Sequence, residues 1–274
     1  MKKVLVAINA NQVNMNVLDF ACFIAKLTHS KLTGVFIEDN EGKAVLAEEA
    51  LYLPHEGSVE AAAAVIPFIE DNIRLFKTTC ENRGTNCAVH LEQGTPVTDV
   101  IKESRYAELL ILDPGMSFTG KNERTPTGFI KEVLAKSECP VVIAPYAFYG
   151  IDEILFAYDG SPASVFAIKQ FTYLFPELAD KKVTVLQVNE NDDQPVIEKE
   201  KIGELIQLHY SSIGYNLLQG KASDELFGYL LGKKNIFVVM GAFGRSMLSG
   251  FIKHSTAELI IKTVNLPLFI AHSK

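Results

Sequence analysis

Val4-Leu5-Val6-Ala7-Ile8-Asn9 and Ile154-Leu155-Phe156-Ala157-Tyr158-Asp159 are two versions of one apolar strand that ends in a polar residue. A second pair repeats the message: Cys139-Pro140-Val141-Val142-Ile143-Ala144 lines up with Leu266-Pro267-Leu268-Phe269-Ile270-Ala271. Self-similarity over this distance marks a duplicated domain. The copies differ in one place that matters. Where the second has Gly241-Ala242-Phe243-Gly244, the first has Pro114-Gly115-Met116-Ser117.

Working outward, the first half reads as strands at 3–8, 32–37, 87–91, 108–112 and 141–144, with helices at 14–29, 58–83, 96–105 and 128–136. The second half reads as strands at 153–158, 182–188, 214–218, 235–240 and 267–271, with helices at 162–175, 195–213, 222–232 and 255–263. The strands are short, rich in Val, Ile and Leu, and apolar on both faces, as in parallel sheets covered by helices. Alternation of strand and helix gives an α/β fold with right-handed crossovers. Two domains follow, 1–147 and 148–274, with the junction near Pro145–Gly150. The first carries extra sequence from Gly42 to Gly57, a packed loop or short helix, or else a lid. Pro67 is expected to kink its helix.

A chain of 274 residues can bury two ordinary cores. Its net charge of −7 argues against nucleic acid or an anionic membrane as partner, because those need clustered Lys and Arg. No apolar run is long enough to span a bilayer, and the run after Lys2-Lys3 stops at Asn9 without a cleavage site, so it is read as a buried strand. Cys22, Cys80, Cys87 and Cys139 are scattered with no metal-binding spacing. They read as reduced thiols of a cytoplasmic protein, with Cys22 and Cys139 as small core residues.

Chemistry is sought in Met240-Gly241-Ala242-Phe243-Gly244-Arg245-Ser246 and Lys253-His254-Ser255-Thr256-Ala257-Glu258. The first piece follows an apolar strand. The second opens a helix, with Ser255 as N-cap and Glu258 completing a capping box. A glycine turn lets backbone N–H groups approach a ligand, and a helix N-terminus adds further donors and partial positive charge. Together they form a phosphate cradle with Arg245, Ser255 and Thr256 as side-chain donors.

The spacing resembles that of the universal stress protein family, which carries G-x-x-G, nine residues, then G-S/T between its fourth strand and last helix. Gly241 and Gly244 match, and nine residues further on stand His254 and Ser255. Asp159 after the first strand, Gly220 before the third helix and Pro267 before the last strand extend the resemblance, which covers essentially the whole chain. It implies a tandem protein of two flavodoxin-like domains, each with five strands in the order 3-2-1-4-5. It also implies an internal pseudo-dimer with the two fifth strands antiparallel. Two chains could pack further as a homodimer.

The resemblance further implies one adenine nucleotide, ATP or AMP with or without magnesium, in the second half only. Asp159 would meet the ribose, the backbone around Gln187 and Val188 the adenine, and Gly244, Arg245 and Ser255 the phosphates. Asp159 also reads as a turn residue in Asp-Gly-Ser-Pro. His254 stands where the family has glycine, so it either obstructs the phosphates or contacts them as a partial cation. In the first half the equivalents of Gly241, Gly244, His254 and Ser255 are Pro114, Ser117, Thr127 and Gly128, and Asn9 replaces Asp159. Phosphate binding is expected to be lost there, and Asp113-Pro114-Gly115 to form a turn.

A nucleotide-binding stress sensor or regulator is therefore the expected function. The alternatives are a scaffold acting through protein contacts and a pocket for another small ligand in the first half. Asp159-Gly160-Ser161-Pro162 lacks the paired glycines of an ATP pyrophosphatase loop, and no Walker motif is present. No nucleophile–base pair or metal cluster can be assembled from neighbouring residues, so no catalysis beyond slow ATP hydrolysis is expected. His29, His55, His90, His209 and His272 read as surface or capping residues.

Overall fold

In a computed structural model of the chain, residues 1–39, 58–120, 122–190, 194–241, 261 and 264–271 are described, with backbone alone for 58–67. The Gly42–Gly57 insertion, the glycine loop after Gly241 and the helix expected at 255–263, Ile261 apart, lie outside them.

The first half runs β1 (Lys3–Asn9), α1 (Met15–Leu27), β2 (Lys31–Ile37), α2 (Ser58–Asn82), β3 (Cys87–Glu92), α3 (Pro96–Ser104), β4 (Leu109–Leu112), α4 (Gly128–Lys136) and β5 (Val141–Ile143). The second runs β6 (Glu153–Ala157), α5 (Pro162–Leu174), β7 (Lys182–Asn189), α6 (Lys199–Gln207), β8 (Ile213–Gln219), α7 (Ala222–Leu230), β9 (Ile236–Gly241) and β10 (Leu268–Ala271). The duplicated α/β pattern read from the sequence is present. α2 continues as helix through Pro67.

By compactness the chain divides into two units. One comprises 2–123 and 127–139; the other comprises 140–274 with Met1 and 124–126. The first unit holds a parallel sheet in the order β3-β2-β1-β4. Its β4 is buried along its whole length, as expected for a strand covered on both faces. Phe36 of β2 meets Phe76 of α2 edge-on at 5.7 Å between ring centroids. Gly34 permits this approach, since a Cβ there would stand 2.8 Å from the Phe76 ring. Asn14 caps α1 by accepting from the Asn16 and Val17 amides, at 3.1 and 3.5 Å.

The second unit holds the order β8-β7-β6-β9-β10, parallel throughout, with β5 added antiparallel against β10. The register is Ile143↔Leu268, Val142↔Phe269 and Val141↔Ile270, so the two fifth strands are antiparallel, as the sequence suggested. That pairing leaves neither strand with a bare edge on this side. Phe171 of α5 anchors the core, with Phe156, Phe237 and Phe269 edge-on to it at 6.0, 5.0 and 5.3 Å. All four rings are fully buried.

One helix is shorter than expected. The reading 195–213 shrinks to Lys199–Gln207, because residues 194–197 are held back as loop by side chains of β7. Glu198 then turns the chain into the helix with φ +46°. Strand β8, weakly marked in sequence, forms at the sheet edge, and its half-exposed residues explain the weak apolar signal. Among the described residues no helix is long and apolar enough to cross a membrane.

Candidate functional site at the carboxyl ends of the strands

In the second unit the chain passes from β6 out to β7 and β8, then returns by α7 to β9 on the other side of β6. The reversal between β6 and β9 makes a topological switch point, where open α/β sheets bind ligands at their carboxyl ends. Four of the strand ends there carry residues singled out from the sequence. Gly241 closes β9, Asp159 follows β6, Gln187 and Val188 lie at the end of β7, and Gly220 follows β8. Ala157 and Met240 are partners in the ladder, so Asp159 and Gly241 emerge from neighbouring strands at almost the same level. Gly244, Arg245, His254, Ser255 and Thr256 lie outside the described residues.

Asp159 is half-buried, and its Oδ1 accepts from the Ser161 amide at 2.9 Å across Gly160, which sits at φ +74°. This is the turn read from Asp-Gly-Ser-Pro. The cap of α5 belongs to Ser161, which accepts from the Ser164 amide at 3.2 Å, with Pro162 in the first turn where a missing N–H costs nothing. The second carboxylate oxygen of Asp159, Oδ2, has no hydrogen bond among the described residues. The neighbouring Tyr158 donates its hydroxyl to the Ile197 carbonyl at 2.9 Å. Burial, then the nearby Glu198 and Asp159 charges, push that phenol up and keep it a neutral donor.

The Gln187 side chain is buried and fully engaged. Its Nε2 donates to Asn189 Oδ1 at 2.6 Å and to the Pro195 carbonyl at 3.3 Å, while its Oε1 accepts from the Ile197 amide at 2.9 Å. Asn189 in turn donates to the Gln194 carbonyl at 2.6 Å. These bonds hold the 194–197 loop beside Gly160, where a Cβ would lie 2.6 Å from Ile197 Cγ2. The Gln187 side chain is thereby spent within the protein. Gly220 has φ +136°, conformationally expensive for other residues, and its amide bonds the Asn189 carbonyl at 2.9 Å.

Gly241 has a packing reason that the sequence did not disclose. A Cβ there would stand 2.5 Å from the Ala163 carbonyl carbon and 2.7 Å from the Ser164 nitrogen. The end of β9 therefore touches the first turn of α5 directly, and no side chain fits between them.

The first unit has the same crevice between β1 and β4, filled differently. Asn9 donates Nδ2 to the Ser117 carbonyl at 3.3 Å, while its Oδ1 accepts from the Asn11 amide at 3.0 Å, a neutral version of the Asp159 turn. Asp113 accepts from the Gly115 amide at 2.8 Å, the turn expected there, and from Asn14 Nδ2 at 2.8 Å. Thr127 caps α4 by accepting from the Ile130 amide at 3.3 Å. At the mouth of that helix lies Glu123, which sequence reasoning missed. Its carboxylate accepts from the Ser117 hydroxyl, from Thr119 Oγ1 at 3.3 Å and from the Gly128 amide at 3.2 Å. The Ser117 bond, then those from Gly128 and Thr119, outweigh its burial and hold this carboxyl below the usual carboxylate range. The available signal was an acid five residues before a helix that opens on glycine. Among the described residues no cluster of His, Cys, Asp and Glu could hold a metal ion.

The chain matches no family-wide sequence profile. It is 27% identical over 131 residues to a universal stress protein, Slr1230 of Synechocystis, a match spanning 47% of this chain and 45% of that relative's length. In fold it is similar to the crystal structure of a universal stress protein from Archaeoglobus fulgidus, with a TM-score of 0.71 at 16% identity and 98% of both chains covered. A functionally unknown protein of Pseudomonas aeruginosa, PA1789, follows with a TM-score of 0.58 at 17% identity over 99% of this chain and 92% of its own. By sequence over 47% of its length and by fold over nearly all of it, this chain is similar to the universal stress proteins.

Proposed function

We propose that the protein is a nucleotide-responsive regulator of the stress-protein kind, binding one adenine nucleotide per chain at the switch point of the second unit. The observation that carries this reading is a contrast in charge. The first unit brings its own carboxylate, Glu123, to the donors at the start of α4. The corresponding second stretch, residues 242–257, contains no Asp or Glu at all, while it carries Arg245, Lys253 and His254. Between Gly241 and the capping-box acid Glu258 the sequence thus offers basic and hydroxyl side chains without a carboxylate, a composition suited to an anion from outside.

The described side of the crevice fits a nucleotide. The unbonded oxygen of Asp159 can accept from a ribose hydroxyl, and the backbone at Gln187 and Val188 can hold an adenine edge. Gly241, Gly244, Arg245, Ser255 and Thr256 would bind the phosphates, and His254 would either join or obstruct them. The nucleotide serves here as a signal, and no step of chemistry is assigned to it.

Calorimetric titration with ATP and magnesium tests the proposal. A stoichiometry of one is expected, abolished by Gly244→Val, with Asp159→Ala weakening binding by roughly 1–3 kcal/mol. Tighter binding by His254→Gly would make the histidine an obstruction, weaker binding a ligand. A stoichiometry of two, or indifference to Gly244→Val, would place the site wrongly. No binding at all would leave the reading of a scaffold acting through protein contacts.

A further inference from the structure

Three of the four cysteines converge in the first unit, although the sequence scatters them. Cys22 lies on α1, Cys80 on the last turn of α2 and Cys87 at the start of β3. The sulfurs of Cys22 and Cys80 are 3.9 Å apart, both side chains are buried, and 58 residues separate them along the chain. Cys87 is half-exposed, and its thiol also acts on Cys80. Thr85, more than nine-tenths buried, has a hydroxyl with no hydrogen-bond partner. Arg83, ion-paired with Asp19 of α1, brings a positive charge to the same corner.

From this geometry we infer that Cys22 and Cys80 form an oxidisable dithiol, which a hydroperoxide converts to a disulfide pinning α1 to α2. Two sulfurs 3.9 Å apart need to close by on the order of 2 Å to reach a bonded distance. Roles within the pair are unequal. The contact with Cys80 pulls the Cys22 thiol down against its burial, the Arg83 charge acting in the same sense, while the contact with Cys22 and burial push Cys80 up. With the Arg83 charge beside it, Cys22 serves in this proposal as the nucleophile and Cys80 as the resolving thiol.

The electrons and atoms balance with one peroxide. The Cys22 thiolate attacks the distal peroxide oxygen; an S–O bond forms, the O–O bond breaks, and the leaving oxygen departs as water or an alcohol after taking up a proton. The Cys80 sulfur then attacks Cys22; the S–S bond forms, the S–O bond breaks, and the hydroxyl leaves as water with the Cys80 proton. The two thiols lose two electrons and the peroxide gains them. Because both sulfurs are buried, the rate is set by local opening of the α1–α2 packing.

The test uses the full chain, reduced and then freed of reductant. It is exposed to hydrogen peroxide, unfolded in N-ethylmaleimide, digested without reduction and mapped by mass spectrometry. Two of the four thiols should escape labelling, and a peptide pair joining Cys22 to Cys80 should appear, lighter by two hydrogens and abolished by dithiothreitol. Cys139, buried just before β5, should be labelled. The oxidised chain should also unfold at a higher temperature, because the cross-link restricts the unfolded state. In Cys80→Ser the Cys22 sulfenic acid should persist long enough to be trapped by dimedone. Oxidation confined to Cys87, a disulfide joining Cys87 to Cys80, or full labelling of all four thiols would each overturn the proposal, and the map of the unsubstituted chain decides even where the variant fails to fold.

Discussion

The crevice between β1 and β4 and the crevice between β6 and β9 occupy the same place in their sheets, yet they treat their polar groups in opposite ways. In the first, Asn9 gives up its charge, Asp113 is tied to Asn14 and Gly115, and Glu123 takes the donors of Ser117, Thr119 and Gly128. In the second, Asp159 stands where the first has Asn9, with one carboxylate oxygen unbonded among the described residues, and the next acid in sequence after β9 is Glu258. A buried donor left unsatisfied costs free energy, so the donors around the start of α4 need an acceptor. Glu123 is such an acceptor.

The comparison can be broken most severely at Gly241. Gly241→Val should destabilise the chain by about 3 kcal/mol, through collision of the new Cβ with the Ala163 backbone 2.5 Å away, and a urea unfolding curve measures it. Full stability in that variant would show that the glycine serves a ligand alone. Next comes Gln187→Ala, which removes bonds to Asn189, Pro195 and Ile197 and leaves the Ile197 amide without its acceptor. A loss of about 2 kcal/mol is expected, with faster hydrogen exchange at Ile197. Unchanged exchange would mean that the 194–197 loop stands by other means, and that the second crevice is less committed to its shape than the first.

The smallest effect is the one that sharpens the contrast. The folded Glu123 carboxyl is held below its unfolded value by Ser117, Gly128 and Thr119. Its stabilisation is therefore complete above the ordinary carboxylate range and is lost as pH falls through the lower, folded value. The difference in stability between the protein and Glu123→Gln should shrink as the medium is acidified through pH values below about 4. Chemical denaturation across that range checks it. A difference that grows on acidification would reverse the assignment of Glu123 as a bound anion.

Much of the fold was legible because duplication states it twice. Apolar strands such as Leu109–Leu112 and Ile236–Gly241 announce themselves as covered on both faces. The misjudged length of α6 has a long-range cause: Gln187 and Asn189 of β7 draw residues 194–197 into a loop, and no local pattern encodes that. Gly241 could be singled out from its place after a strand, but the Ala163 contact that requires it joins residues far apart in the chain. Glu123 could not be singled out, because its partners Ser117 and Gly128 flank a turn with no periodicity to read. Position along the chain predicted which strands exist; which side chains face one another across a crevice was set by folding.

The pairing of β5 with β10 carries a consequence for synthesis. During translation β5 leaves the ribosome with a buried-type edge, and its partner strand follows only about 125 residues later. The nascent chain must carry that apolar edge unpaired while the whole second half is made, an interval in which pairing with another chain competes with pairing within its own. The ladder from Val141↔Ile270 to Ile143↔Leu268 thus becomes available only once β10 has been made, the stage of biogenesis at which help from a chaperone would matter most.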